Sequence, residues 1–204
     1  MIRPSPRTVV VAIAAVLIVG VLVAGGWLWH AAGERRAMAA YAEALTQAQA
    51  AKTSPEARLA AIRALEAVLA EYPSAPATSQ AAYHLGDLRY DAGQYAAARS
   101  AWEIAVAKRP PPTVHSLAVL GIGHAWEAER NFPKAIDAYQ AALTSLGPRD
   151  FLYEELLVDL ARAQELAGRR DDAIASYRKI LKELPGSRRG DDVRSRLASL
   201  GATP

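Results

Sequence analysis

Four stretches of this chain superimpose on one another. Ala61, Ala98, Ala135 and Ala173 recur every 37 or 38 residues, and each is followed at +4 by Leu65, Trp102, Tyr139 or Tyr177. The same register carries Val68, Ala105, Ala142 and Ile180 at +7, then Leu69, Val106, Leu143 and Leu181 at +8. Offsets of 4, 7 and 8 mark one apolar face of an α-helix, so the spacing predicts a helical repeat protein in which that face recurs four times. A small residue opens each face and lets a neighbouring helix approach, while the large residue one turn later fills the gap between helices. Stacked helix pairs of this kind form a solenoid, an architecture that presents extended binding surfaces.

The repeats account for nearly all of the 204 residues beyond the first thirty, so one continuous solenoid is the simplest domain count. Alanine greatly outnumbers β-branched and aromatic residues, which favours closely packed helices over a sheet and makes the fold class all-α. The formal charge is +3, with acids interleaved among bases through the repeats, and no nucleic-acid-binding stripe emerges. There is no cysteine, which excludes a disulfide framework, a thiolate metal site, a cysteine nucleophile and lipidation of an N-terminal cysteine.

From Thr8 to Trp29 runs an uncharged apolar segment of 22 residues. At 1.5 Å per helical residue it spans about 33 Å, enough for a bilayer core of about 30 Å. Trp27 and Trp29 close it, as expected of membrane-interface anchors, and Arg35 and Arg36 follow. A cleaved signal peptide is the alternative, although the apolar run exceeds the usual length and neither Ala24 nor Ala32 completes an Ala-x-Ala site. The expected organisation is a short basic cytoplasmic tail (1–7), a transmembrane helix (8–29), a juxtamembrane helix (30–54) and a repeat domain (55–204). Arg3, Arg7 and the amino terminus favour a cytoplasmic tail, which places the repeats outside the cytosol, in the periplasm of a bacterium with the span in its inner membrane. Arg35 and Arg36 on the other side keep the inverse orientation open.

Between span and repeats, Glu34 to Lys52 lacks proline, so the membrane helix is expected to continue into water. Thr53-Ser54-Pro55-Glu56 reads as a stop and restart, with Ser54 as N-cap and Pro55 in the first helical position. Glu43, Leu45 and their alanine neighbours then supply the first helix of an atypical initial pair. At the other end, Asp191 to Leu200 places Val193, Leu197 and Leu200 on one face and reads as a capping helix.

The second unit contains Leu85-Gly86, Gly93, Tyr95, Ala98, Trp102 and Pro110. These residues resemble the tetratricopeptide repeat: its Leu-Gly pair, turn, alanine, aromatic position and closing proline. The third unit resembles it through Ile122-Gly123, Trp126, Phe132, Ala135, Tyr139 and Ala142, and the fourth through Leu160, Gly168, Ala173, Tyr177, Ile180 and Pro185. The fourth departs with Ala161 where the glycine would be, and the period exceeds the family's usual 34, implying longer loops such as Arg109-Pro-Pro-Pro-Thr113.

A single span ending Gly26-Trp27-Leu28-Trp29, followed by an Ala/Tyr-rich helix and then repeats, is similar to the membrane-anchored ancillary subunit of the bacterial Sec translocon. Ala98-Arg-Ser-Ala-Trp-Glu103 also resembles that family. The resemblance implies protein partners, namely translocon subunits or periplasmic chaperones, and a role in protein export or envelope protein folding. Assembly of another membrane complex, such as cytochrome maturation or a secretion apparatus, and self-association into a homo-oligomer are the alternatives.

No catalytic, cofactor or metal site is expected. His124 and Glu127 stand at i,i+3, but no second pair or His-Glu-x-x-His motif accompanies them, and Gly121-Ile-Gly123 lacks the strand and third glycine of a dinucleotide loop. The resemblance to tetratricopeptide arrays instead implies a partner-binding groove lined by the first helix of each pair. Its positions fall on Tyr83, Asp87 and Tyr90, then Leu120, His124 and Glu127, then Glu155, Val158, Arg162 and Glu165. Tyr83 and Asp87 stand where a carboxylate clamp would need lysine and asparagine, which argues against that mode. A C-terminal group of bases, Arg169, Arg170, Arg178, Lys179, Lys182, Arg188, Arg189, Arg194 and Arg196, reads either as a solvated face or as a surface for an acidic partner or anionic headgroups.

Overall fold

The computed structural model describes residues 6–50 and 54–203, with side chains from Leu17 onward. The expected tail up to Ser5 and Thr53 of the restart lie outside the described residues. All regular structure among those residues is helical: α1 (Pro6–Ala50), α2 (Pro55–Glu71), α3 (Ala77–Asp91), α4 (Tyr95–Ala107), α5 (Pro112–Ala128), α6 (Phe132–Leu143), α7 (Tyr153–Leu166), α8 (Arg170–Glu183) and α9 (Gly190–Ser199). The helix entered by the apolar run continues without a break to Ala50, which makes it about 68 Å long. Among the described residues it is the one helix long and apolar enough to cross a bilayer, and the apolar window is wholly unburied.

Local chemistry sets the boundaries. The Ser54 hydroxyl accepts a 3.0 Å hydrogen bond from the Ala57 amide, with Pro55 opening α2 and Glu56 in its first turn. Each three-residue turn inside a helix pair contains one left-handed residue: Gly93 (φ 75°), Arg130 (φ 59°) and Gly168 (φ 73°). The third unit thus uses an arginine where glycine carries no steric cost. Connections between pairs are longer, running 72–76, 108–111, 144–152 and 184–189, as the extended period requires.

Packing follows the repeated register. Ala61, Ala98, Ala135 and Ala173 are fully buried, and Leu65, Trp102, Tyr139 and Tyr177 fill the space one turn on. The +7 residues are buried and the +8 residues half-buried, so the apolar stripe has a sharp edge. Tyr41 and Ala44 of α1 enter the first core with Leu65 and Leu85, so the end of α1 and α2 act as the first helix pair. Val193 and Leu197 of α9 cover the last core beside Tyr177 and Ile180.

Glycines set the closeness of the helices. The Trp102 indole of α4 lies against Gly86 of α3 and Gly121 of α5, where a methyl group on Gly121 would sit 2.8 Å from the ring. Gly123 faces the buried Tyr139 ring with no room for a Cβ, whereas Gly33 on α1 has open space. Gly123→Ala is therefore expected to destabilise the protein by about 1–3 kcal/mol through overpacking. Gly33→Ala should be neutral or stabilising by about 0.5–1 kcal/mol. Thermal melts in detergent measure both, and equal shifts for the two would contradict the packing account.

Candidate functional site

The first helices of the pairs lie side by side. Tyr41 of α1 stacks on His84 of α3 with ring centroids 6.1 Å apart, α3 contacts α5, and hydrogen bonds join α5 to α7. Five of the ten groove residues expected from the sequence, Tyr83, Asp87, Tyr90, Leu120 and His124, line one cavity of about 210 Å³, together with Asp91, Trp102, Leu117 and Gly121. An adjoining cavity of about 400 Å³ is lined by Leu45, Ala48 and Gln49 of α1, Arg58 of α2, and His84, Asp87, Leu88 and Asp91 of α3. Asp87 and Asp91 belong to both, so the two form one trough across α1, α3 and α5.

The walls of the smaller cavity are aromatic and acidic, and Arg58 and His84 join Asp87 and Asp91 in the larger one. Tyr90 packs against Tyr95 and Trp102, with centroids 5.3 and 5.9 Å away. The Trp102 indole N–H donates to Asp87 Oδ1 at 3.2 Å, so the ring that fills the gap between helices also orients a groove carboxylate. Burial, reinforced by the adjacent Asp87 charge, pushes the Tyr83 phenol up to about 12, which keeps it a hydrogen-bond donor.

At the α5–α7 end, four side chains form one network. Arg162 donates to Glu127 Oε2 and to Asp159 Oδ1, each at 2.7 Å, and His124 Nε2 donates to Asp159 Oδ2 at 2.8 Å. The Asp159 side chain is only 5% exposed, so burial alone would raise its pKa. The His124 hydrogen bond and the Arg162 charge outweigh that penalty and hold the carboxyl below its ordinary range.

Models of the tetratricopeptide repeat match residues 58–103 and 83–151, and a further one matches 155–187. The chain belongs to the tetratricopeptide-repeat family. Its fold is similar to that of the MamA RS-1 ArsTM double mutant, with a TM-score of 0.62 and 14% identity over 79% of this chain and 83% of that one. It is also similar to the crystal structure of MamA, with a TM-score of 0.56 and 23% identity over 75% and 89%. At such identities the likeness is one of fold. No curated protein sequence matches the chain. Tetratricopeptide repeats serve as scaffolds for protein–protein interaction and are generally not catalytic.

In these repeats the fourth unit contributes less to the trough than its sequence position implies. Arg162 joins the α5–α7 network, but Val158 packs toward the core beneath α8 and α9. Glu165 accepts from the Tyr177 hydroxyl at 3.1 Å and lies 3.7 Å from Arg196. Glu155 lines a separate cavity of about 380 Å³ with Phe151, Ser187, Arg188 and Arg189. The C-terminal bases also disperse: Arg170 and Arg178 donate to the Leu200 and Thr203 carbonyls, and Arg194 pairs with Asp191. Trp27 and Trp29 stand 66% and 79% exposed on α1.

Two acids escaped the sequence reading, Asp91 and Asp159. Asp159 had a visible signal, since it stands three residues before Arg162 just as His124 stands three before Glu127, and the two pairs interlock. Asp159→Asn is expected to cost about 1–3 kcal/mol at neutral pH by removing the charge that Arg162 and His124 both face. Because the folded pKa is depressed, this contribution is full above about pH 4, the unfolded value, and is lost as pH falls through the lower folded value. The stability gap between wild type and variant should stay level from neutral pH down to about 5 and narrow below 4 in denaturant titrations. A gap that widens with acid would contradict it.

Proposed function

We propose that this protein is a membrane-anchored, non-enzymatic scaffold that holds a segment of a partner protein in the trough across α1, α3 and α5, in the service of protein export or envelope protein folding. The convergence of Tyr83, Asp87, Tyr90, Leu120 and His124 on one cavity that runs into a second carries this reading. Ring faces and aliphatic side chains supply contact area with little conformational entropy, and Asp91, exposed between the two cavities, supplies negative charge. Such walls favour a segment with a basic side chain flanked by apolar ones, since a cation is attracted both by carboxylates and by aromatic faces. The span at 8–29 would keep the trough beside a membrane complex and raise its effective concentration there. With a cytoplasmic tail at 1–7, the repeats would lie in the periplasm, within reach of translocon subunits or periplasmic chaperones.

In-cell crosslinking of the full-length protein, followed by mild-detergent purification, tests the reading. Translocon subunits or periplasmic chaperones should be recovered, and should still be recovered when residues 1 to 29 are replaced by an unrelated anchor. Tyr83→Ala combined with Asp91→Lys should lower that recovery about tenfold, the scale of one or two interface hot spots, while circular dichroism stays helical, and Asp91→Lys alone, at an exposed position, should lower recovery with the melting temperature close to that of wild type. Recovery of a different membrane complex would retain the scaffold and sink the export role. Undiminished recovery by the double variant would move the contact away from the trough.

A further inference from the structure

Adjacent helices in the stack alternate in direction, so among the described residues the connections between pairs emerge at one end and the turns within pairs at the other. The end carrying the between-pair connections is the end at which α1 leaves its apolar run. A cavity of about 430 Å³ is walled on one side by Trp29, His30 and Gly33 of α1 and on the other by Tyr72, Pro73 and Ser74 of the first connection. The first connection thus lies level with the tryptophan that closes the span. Lys108 Nζ of the second donates to the Pro73 carbonyl at 2.8 Å, and Ser187 of the fourth donates to Glu154 beside the third at 2.6 Å.

These connections differ in charge from the turns at the far end. They carry Lys108, Arg109, Arg149, Arg188 and Arg189, all exposed, against Asp150, which is engaged by the Gly147 amide at 2.7 Å, and against Glu154 and Glu155 at the start of α7, which line one cavity with Arg188 and Arg189, so bases still outnumber acids there. Phe151 projects among them with 69% of its surface exposed. The far turns at 92–94, 129–131 and 167–169 hold Glu129 against Arg130 and Arg169, and Glu129 is paired with Arg99 at 2.6 Å.

We propose that the end of the solenoid formed by the between-pair connections is a docking surface for an anionic bilayer, with Arg149, Arg188, Arg189, Lys108 and Arg109 meeting lipid headgroups and Phe151 entering the interface. The inference rests on the anchored reading above, because α1 brings this end to the height of the headgroups. Bases within a Debye length of an anionic leaflet are attracted to it, and an exposed aromatic ring gains by leaving water for the interfacial region. Together they would hold the solenoid upright on the membrane rather than leave it to pivot about α1.

The chain contains no cysteine, so a single introduced thiol carries one label. Pro148→Cys, at the proposed surface, and Ala92→Cys, in a far turn, are labelled with a fluorophore in the full-length protein. Each is reconstituted into nanodiscs containing headgroup-nitroxide lipid, in phosphatidylcholine alone or with about 30% phosphatidylglycerol, a composition giving an anionic surface. The label at position 148 should be quenched at least about threefold more than that at 92 in anionic discs, and the excess should shrink in neutral lipid or at 1 M salt, where screening is within about 3 Å. Arg149→Glu with Arg188→Glu and Arg189→Glu should abolish the excess while circular dichroism stays helical. Equal quenching at the two positions, or quenching at 148 indifferent to lipid charge, overturns the proposal while the anchor stands. Failure of the full chain to float with vesicles after carbonate washing overturns the anchor and this surface together.

Discussion

The fit of aromatic rings against bare backbone is the contact on which the rest of the molecule depends. Trp102 occupies the gap between Gly86 and Gly121, and Tyr139 the space beside Gly123, so α3, α4, α5 and α6 approach at distances that any side chain at those glycines would prevent. Because Trp102 also donates to Asp87 and borders the cavity, the packing that closes the core shapes the trough as well. Stability and the shape of the trough therefore share one side chain. Its replacement would open a core cavity costing about 3–5 kcal/mol and would free a carboxylate at the same time.

The repeated register was legible because it is local. An alanine, an aromatic or leucine one turn later and the apolar pair beyond it all lie on one helix, and burial follows that pattern down to the half-exposed +8 residues. The caps at Ser54 and the breaks at Gly93 and Gly168 are equally local, and each sits where its chemistry requires. The trough was only half legible, because its composition depends on how far each first helix is rotated against the next. Positions taken at fixed offsets were brought together in the second and third units. In the fourth, Val158 turns toward the core, and Asp159, one residue on, takes the inward place.

That exchange has an electrostatic cause. A buried carboxylate needs partners, and Asp159 has two, Arg162 on its own helix and His124 on the neighbouring one. His124 lies 35 residues from Asp159 in the chain, so no short window reveals that pairing. The charged network does at the α5–α7 boundary what the glycine seats do earlier in the stack, with directional bonds in place of close contact. Directional bonds fix the relative rotation of two helices more narrowly than apolar packing does, and here they do so at the edge of the trough.

The direction of the trough follows from the continuity of α1. A helix that runs unbroken from its apolar segment into the first core carries its axis into the domain, and the first helices of the later pairs lie beside it in a row. The trough crosses those helices rather than following them. With α1 spanning a bilayer, the axes of those helices would stand along the membrane normal and the trough would run parallel to the surface. A partner segment would then lie along the membrane instead of pointing into it.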